Sequence, residues 1–148
     1  ILYVFLLSTL DNSLIWLIFL LVCTWSSDTG AYLVGRKWGK RKMAPSLSPG
    51  KTVEGAAGGV LGSLLAAALV AVFYRELPEL PVLVLGVLVG VAAQVGDLME
   101  SALKRQAGVK DSGRLIPGHG GILDRFDSML FTAPLVYYYV GLIINKLR

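Results

Sequence analysis

Cysteine is almost absent from this chain of 148 residues: Cys23 is the only one. A single thiol cannot form an internal disulfide, so nothing suggests an oxidised, secreted scaffold. Histidine is as scarce, with His119 alone. One histidine and no paired cysteines argue against a zinc site. Charge is also thin, at 16% of residues, against about 25% in ordinary soluble domains. Hydrophobic residues make up 55% of the chain and the mean hydropathy is +0.66. They come in long blocks, which distinguishes a membrane protein from a soluble one with a large core. An initiator methionine is missing too. The chain begins at Ile1 inside an apolar run and reads as the C-terminal part of a longer protein, so no signal peptide can be argued.

A membrane span takes roughly 20 mostly apolar residues. Ile1–Leu10 is too short and reads as the end of a helix, with Asp11, Asn12 and Ser13 supplying a turn and a candidate N-cap. Full spans are expected at Leu14–Val34, Glu54–Tyr74, Pro81–Leu103 and Asp124–Asn145. Polar loops are expected at Arg36–Val53 and Lys104–Leu123, with a short turn at Arg75–Leu80. The predicted fold is all-α: a polytopic transmembrane helix bundle with cytoplasmic active-site loops. Residues 1–148 form part of one membrane-embedded catalytic domain, with four full spans and a fragment at 1–10.

The net charge of +4 matters less than its placement. Arg36, Lys37, Lys40, Arg41, Lys42 and Lys51 cluster in one loop, and Lys104, Arg105, Lys110, Arg114 and Arg125 fall around the other. Two spans separate these segments, so they lie on one side, and the positive-inside rule assigns that side to the cytoplasm. Nucleic acid is a poor partner for charges that interrupt membrane segments. Gly55 and Gly59, Gly58 and Gly62, and Gly86 and Gly90 are each spaced for close helix packing. Packing within the chain is a simpler reading of them than a homodimer seam. Trp16, Trp25, Trp38 and the Tyr137–Tyr139 run read as interfacial anchors or packing.

Asp28, Asp97 and Glu100 sit in or at the ends of apolar segments. A carboxylate at the membrane centre costs roughly 2.5–3.5 kcal/mol on insertion scales, so each needs a reason. Asp28 and Glu100 are equally well explained by reaching water at a helix end. Asp97 shares a helical face with Gln94 and Ser101, which suggests a water-filled cavity or an ion site. Asp124 and Asp127 are three apart at the start of the last span. Interaction with the helix dipole, worth under about 1 kcal/mol at an exposed end, explains one of them comfortably. It explains less well why they follow Pro117-Gly118-His119-Gly120-Gly121, where backbone N–H groups can approach a ligand closely. Carboxylates completed by phosphate oxygens suit Mg²⁺, and nearby lysines and arginines suit the phosphates. His119 could donate to phosphate, act as a base or serve structure. Gly50-Lys51-Thr52 looks like the end of a P-loop. However, Pro45 stands where that motif needs glycine and no strand is expected before it, so the P-loop is rejected.

These residues carry a resemblance. Ser101–Arg105, Lys110-Asp111, Pro117–Gly121 and Asp124-Arg125-Phe126-Asp127 closely resemble the signature of the phosphatidate cytidylyltransferase family. Ser26-Asp28-Ala31-Tyr32, Ser48-Pro49-Lys51-Thr52-Glu54-Gly55 and Gln94-Gly96-Asp97-Leu98-Glu100-Ser101 are similar to further motifs of that family. Gly50 departs from the pattern, where a second basic residue is expected. The resemblance implies that CTP and phosphatidate, drawn from the membrane lipids, give CDP-diacylglycerol and pyrophosphate. It implies Mg²⁺ held by Asp97, Asp124 and Asp127, with a second divalent or a monovalent cation as an option that could involve Asp28. Lys104 joins these carboxylates in the expected catalytic set. Substrate phosphates would be held by Arg105, Lys110, Ser48, Lys51 and Thr52, while Asp111, His119, Gly120, Gly121 and Arg125 complete the substrate pocket. The rivals are a CTP-dependent lipid kinase, which would release CDP, and a transporter with Asp28 and Asp97 on its path.

Overall fold

A computed structural model of the chain describes residues 2–108 and 128–147. It is an all-helical bundle carrying one small hairpin. A short helix α1 (Leu2–Leu7) leads into α2 (Ser13–Trp38), the strands β1 (Lys42–Ala44) and β2 (Ser48–Thr52), α3 (Val53–Phe73) and α4 (Glu79–Gln106). The last rod is α5 (Met129–Tyr139), which runs through a π-helical turn at Val140–Ile144 into α6 (Asn145–Leu147). Among the described residues, four segments are long and apolar enough to cross a membrane: Ser13–Trp38, Val53–Phe73, Glu79–Gln106 and Met129–Leu147.

All four spans expected from the sequence are present, with shifted ends. The first candidate N-cap, Asn12, takes a left-handed backbone (φ 58°) and makes no side-chain cap. Asparagine tolerates that conformation better than most residues. The third expected span, α4, starts at Glu79 rather than Pro81, since a proline in the first turn has no intrahelical N–H to lose. Of the last expected span, residues 124–127 lie outside the described residues; the described helix opens at Met129.

Helix lengths shape the polar end. At 1.5 Å per residue, the 26 residues of α2 and 28 of α4 reach about 39 and 42 Å. The 21 residues of α3 reach only about 32 Å. The α3–α4 connection is short, from Tyr74 to Pro78, so the surplus of α4 shows at the other end. There the β1–β2 hairpin fills the space over the start of α3. Arg105 Nε at the end of α4 donates to Leu47 O in the hairpin turn at 3.5 Å.

That hairpin is a departure from the expected loop. β1 and β2 pair antiparallel, Lys42 opposite Thr52 and Ala44 opposite Ser48, with an irregularity between. A strand reading Ser-Pro-Gly-Lys-Thr has little strand propensity. Side chains hold it instead. Glu54 Oε2 accepts from Lys40 N at 3.1 Å and Arg41 N at 3.2 Å, and Lys42 Nζ donates to Pro49 O at 2.7 Å. Gly50-Lys51-Thr52 therefore lies within a strand, contrary to the sequence expectation. The P-loop remains excluded, because a phosphate-cradling loop would have to follow the strand rather than form it.

The dry core lies at the opposite end. Leu7, Trp16, Phe19 and Leu20 near the start of the chain meet Val70 and Ala71 of late α3, Val82 and Leu85 of early α4, and Val136, Val140 and Ile144. Trp16 packs edge-on against Phe19 with ring centroids 5.9 Å apart. Tyr3 meets the tyrosine run, its hydroxyl 3.2 Å from that of Tyr138, so part of that run is used in packing.

Towards the hairpin the packing changes character. A Cβ on Gly30 would stand 2.5 Å from Gly58 O, and one on Gly90 2.9 Å from the Val60 Cα. Such approach is open only to residues without a side chain. Ser63 Oγ adds a buried hydrogen bond to Gly86 O at 2.7 Å. The spaced glycines thus pack α2 on α3 and α3 on α4 within the chain.

Candidate functional site

A cavity of about 490 Å³ opens at the hairpin end; its polar lining comes from Asp28 and Tyr32 of α2, Lys51 and Thr52 of β2, and Gln94 and Asp97 of α4. Each residue arrives for a local reason. Asp28 and Tyr32 are one helical turn apart and share a face. So are Gln94 and Asp97, as their spacing predicts. Thr52 is the N-cap of α3: its backbone is extended and its Oγ1 accepts from Gly55 N at 3.1 Å. That cap fixes where the strand ends and therefore where the preceding residue, Lys51, points.

Lys51 Nζ forms an ion pair with Asp97 Oδ2. The aspartate side chain is 39% exposed and the lysine 19%, with the ammonium nitrogen itself buried, so the pair sits in the cleft wall and meets water on its carboxylate side. One turn further along α4, Glu100 Oε1 and Lys104 Nζ pair at 2.5 Å. Glu100 therefore does not reach water, as one reading of its position expects: both its carboxylate oxygens are buried, and it meets the Lys104 ammonium instead. Gln94 Nε2 donates to Ser27 Oγ on α2 at 3.3 Å. One turn further along α2, Arg36 Nη1 donates to Tyr32 OH at 3.3 Å.

The sequence-derived candidates separate into three groups. Lys51, Thr52 and Asp97 come together in the cavity, joined by Asp28. Lys104, Arg105 and Ser48 lie at the same end without lining it: Lys104 pairs with Glu100, Arg105 reaches the hairpin turn, and Ser48 opens β2 opposite Ala44. Lys110, Asp111, His119, Gly120, Gly121, Asp124, Arg125 and Asp127 lie outside the described residues. Tyr32, which lines the cavity, and Ser27, which is buried beneath it, drew no role from the sequence. The i, i+4 step from Asp28 to Tyr32 was the available signal for the first. For Ser27 there was none, because its relevance depends on which helix lies beside it.

Among the described residues no three His, Cys, Asp or Glu side chains cluster to hold a metal. Two carboxylates, Asp28 and Asp97, line the cavity. Mg²⁺ characteristically takes one or two carboxylates and completes its shell with substrate phosphates and water. The donor set fits an ion of that kind better than a closed protein cage. Chemically, the cavity combines an ammonium that can meet phosphate, carboxylates that can meet a cation, and a helix N-terminus at Thr52 that favours anions.

Known proteins are similar to this chain in sequence. The model of the cytidylyltransferase family matches residues 1–143. A phosphatidate cytidylyltransferase of Synechocystis sp. is 55% identical over 128 residues, covering 85% of this chain and 43% of that protein. One from Bacillus subtilis is 50% identical over 122 residues, covering 82% of this chain and 45% of its own length. An uncharacterised Escherichia coli protein, YnbB, is 47% identical over 123 residues, covering 83% of this chain and 41% of its own. The chain thus spans less than half the length of these relatives.

Proposed function

This chain belongs to the cytidylyltransferase family, and from that premise we propose that it takes part in transferring CMP from CTP to phosphatidate, giving CDP-diacylglycerol and pyrophosphate. The observation that carries the reading is the Lys51–Asp97 ion pair in a cavity at the polar end of four apolar helices. A lipid-anchored phosphate and a water-soluble nucleotide can meet only at such a boundary. The basic loops at that end make the cytoplasmic face the expected side.

In the reaction, an oxygen of the lipid phosphate attacks the α-phosphorus of CTP. The bond from that phosphorus to the oxygen bridging to the β-phosphate breaks, and pyrophosphate leaves. Phosphatidate is already largely ionised at neutral pH, so no strong general base is required. The problem is repulsion between two anions. Lys51 brings an ammonium into a partly desolvated cleft, where its attraction for phosphate exceeds its value in bulk water. Asp97 orients that ammonium. Arg105 and Lys104, at the rim, add positive charge for the triphosphate or the lipid phosphate, and Ser48, Thr52 and Lys110 are further candidates for the same task. Mg²⁺ would be held by Asp97 with Asp124 and Asp127, and would offset charge on the departing pyrophosphate. Asp28 is the candidate for a second ion.

The test is product analysis with the full-length protein in detergent, given CTP, phosphatidate and Mg²⁺. Pyrophosphate and CDP-diacylglycerol are expected. Release of CDP instead would mean phosphoryl transfer to an alcohol, and would overturn the reading.

A further inference from the structure

Three glycines, Gly55, Gly58 and Gly59, fall in the first turns of α3. Gly59 has a neighbour unlike the others. A Cβ there would stand 2.5 Å from Gln94 Nε2, 3.0 Å from Ser27 O and 3.2 Å from Ala31 Cβ. The missing side chain is thus the seat on which the Gln94 carboxamide lies as it crosses α3 to reach Ser27 Oγ on α2 at 3.3 Å. Ser27 is fully buried. It precedes Asp28, and Gln94 lies three residues before Asp97 on the same helical face. The bond therefore joins α2 and α4 directly beneath the two carboxylates that line the cavity.

We propose that Gln94 is a positioning residue: seated over Gly59 and bonded to Ser27, it sets the register of α4 against α2, and so the placement of Asp97 relative to Asp28. As a step in cytidylyl transfer this rests on the function proposed above. The physical case is a comparison of restraints. α3 packs against both α2 and α4 more extensively than these two pack on each other, and its close contacts with them run along small residues. A seam of small residues is smooth and resists sliding weakly, whereas a hydrogen bond between two named atoms, one of them on the fully buried Ser27, has one register. Leaving either partner buried and unpaired carries a penalty of its own. Misplacing a reacting group by about 1 Å can cost about a hundredfold in rate.

Two readouts test this in the full-length protein. The first does not depend on activity. Spin labels at Leu33→Cys and Leu103→Cys, both exposed positions on α2 and α4, are introduced in a Cys23→Ala background. They should give one narrow distance, broadened or shifted by Gln94→Ala, by Ser27→Ala and by Gly59→Ala. An unchanged distribution in all three overturns the clamp. The second is kinetic. Gln94→Ala and Ser27→Ala should each lower kcat by between about tenfold and about a hundredfold, with KM for CTP moving much less. Ser27→Thr, which keeps the hydroxyl, should recover most of the loss. Ser27 does not line the cavity, so wild-type kcat in Ser27→Ala with a fall only in Gln94→Ala would mean that Gln94 touches substrate directly, and would overturn the positioning role. If the unsubstituted protein releases no pyrophosphate, the functional reading fails, and the distance measurement still decides the clamp. If Gln94→Ala does not fold, Ser27→Ala and Gly59→Ala carry both readouts.

Discussion

The two ends of this bundle are held together by opposite means. At one end, Leu7, Trp16, Phe19, Leu85 and Ile144 fill space with large side chains, all at most 2% exposed. At the other, helices close on one another through glycine, and what remains between them is a cavity fringed with charge. Filling produces a rigid plug with no chemistry. Removing side chains brings backbones together and leaves room for Lys51, Gln94 and Asp97 to reach across. The contrast explains how a short membrane bundle can be both firm and hollow: each property is confined to its own end.

The comparison makes graded predictions. Gly58→Leu should do most damage, because a side chain there meets Val34 and stands 2.8 Å from Gly30 O at its first carbon. Overpacking of that kind costs about 1–3 kcal/mol in soluble cores, and a backbone–backbone seam has less slack. Loss of the monodisperse peak on size-exclusion chromatography is the expected result. Normal yield and melting would show that the seam is not the close contact described here. Phe19→Ala, at the filled end, should lower stability by about 3–5 kcal/mol while sparing turnover per folded molecule. A large fall in kcat with an unchanged melting curve would break the division between the ends.

Lys51→Ala should do the reverse. Turnover is expected to fall roughly a hundredfold, about 2.7 kcal/mol of transition-state stabilisation. Stability should change by less than about 1 kcal/mol, because the ion pair is partly exposed. Unaltered kinetics for both CTP and phosphatidate would remove it from the site. Glu54→Ala should cost about 1 kcal/mol locally by freeing the Lys40 and Arg41 amides. Faster hydrogen exchange confined to residues 40–53 is the signature to seek. The smallest effect belongs to Gly50→Lys, which restores the basic residue expected from the family pattern. Nothing lies within 4 Å of a Cβ at Gly50, so folding should be unaffected and KM for CTP should fall by roughly twofold to threefold through added charge. A raised KM would show that the position needs a small residue.

Much of the fold was legible because lipid is a demanding solvent. Apolar length marks a span almost regardless of tertiary context, and all four spans appeared near their expected places. Helix ends were less legible. The surplus turns of α2 and α4 are polar and resemble loop, yet the helices run on to Trp38 and Gln106. The hairpin itself was invisible in Ser-Pro-Gly-Lys-Thr, since Glu54 and Lys42 hold it rather than strand propensity. In the site, Asp97 was expected as a polar face inside the bundle and Lys51 as a phosphate ligand. Their pairing joins residues 46 positions apart, and no local pattern reveals it.

The sequence by itself determined the membrane character, the four long apolar runs, the clustering of basic residues and the kinship to cytidylyltransferases. These follow from composition, run length and the spacing of rare residue types along one strand of chain. Only the tertiary structure decided which carboxylate meets which lysine, that Gly59 is a seat for Gln94, and that the glycine pairs serve neighbouring helices within the chain. Those facts depend on how α2, α3 and α4 are rotated about their own axes. That rotation is set by backbone contact at glycine, which is the one residue type that carries no side chain to announce its partner.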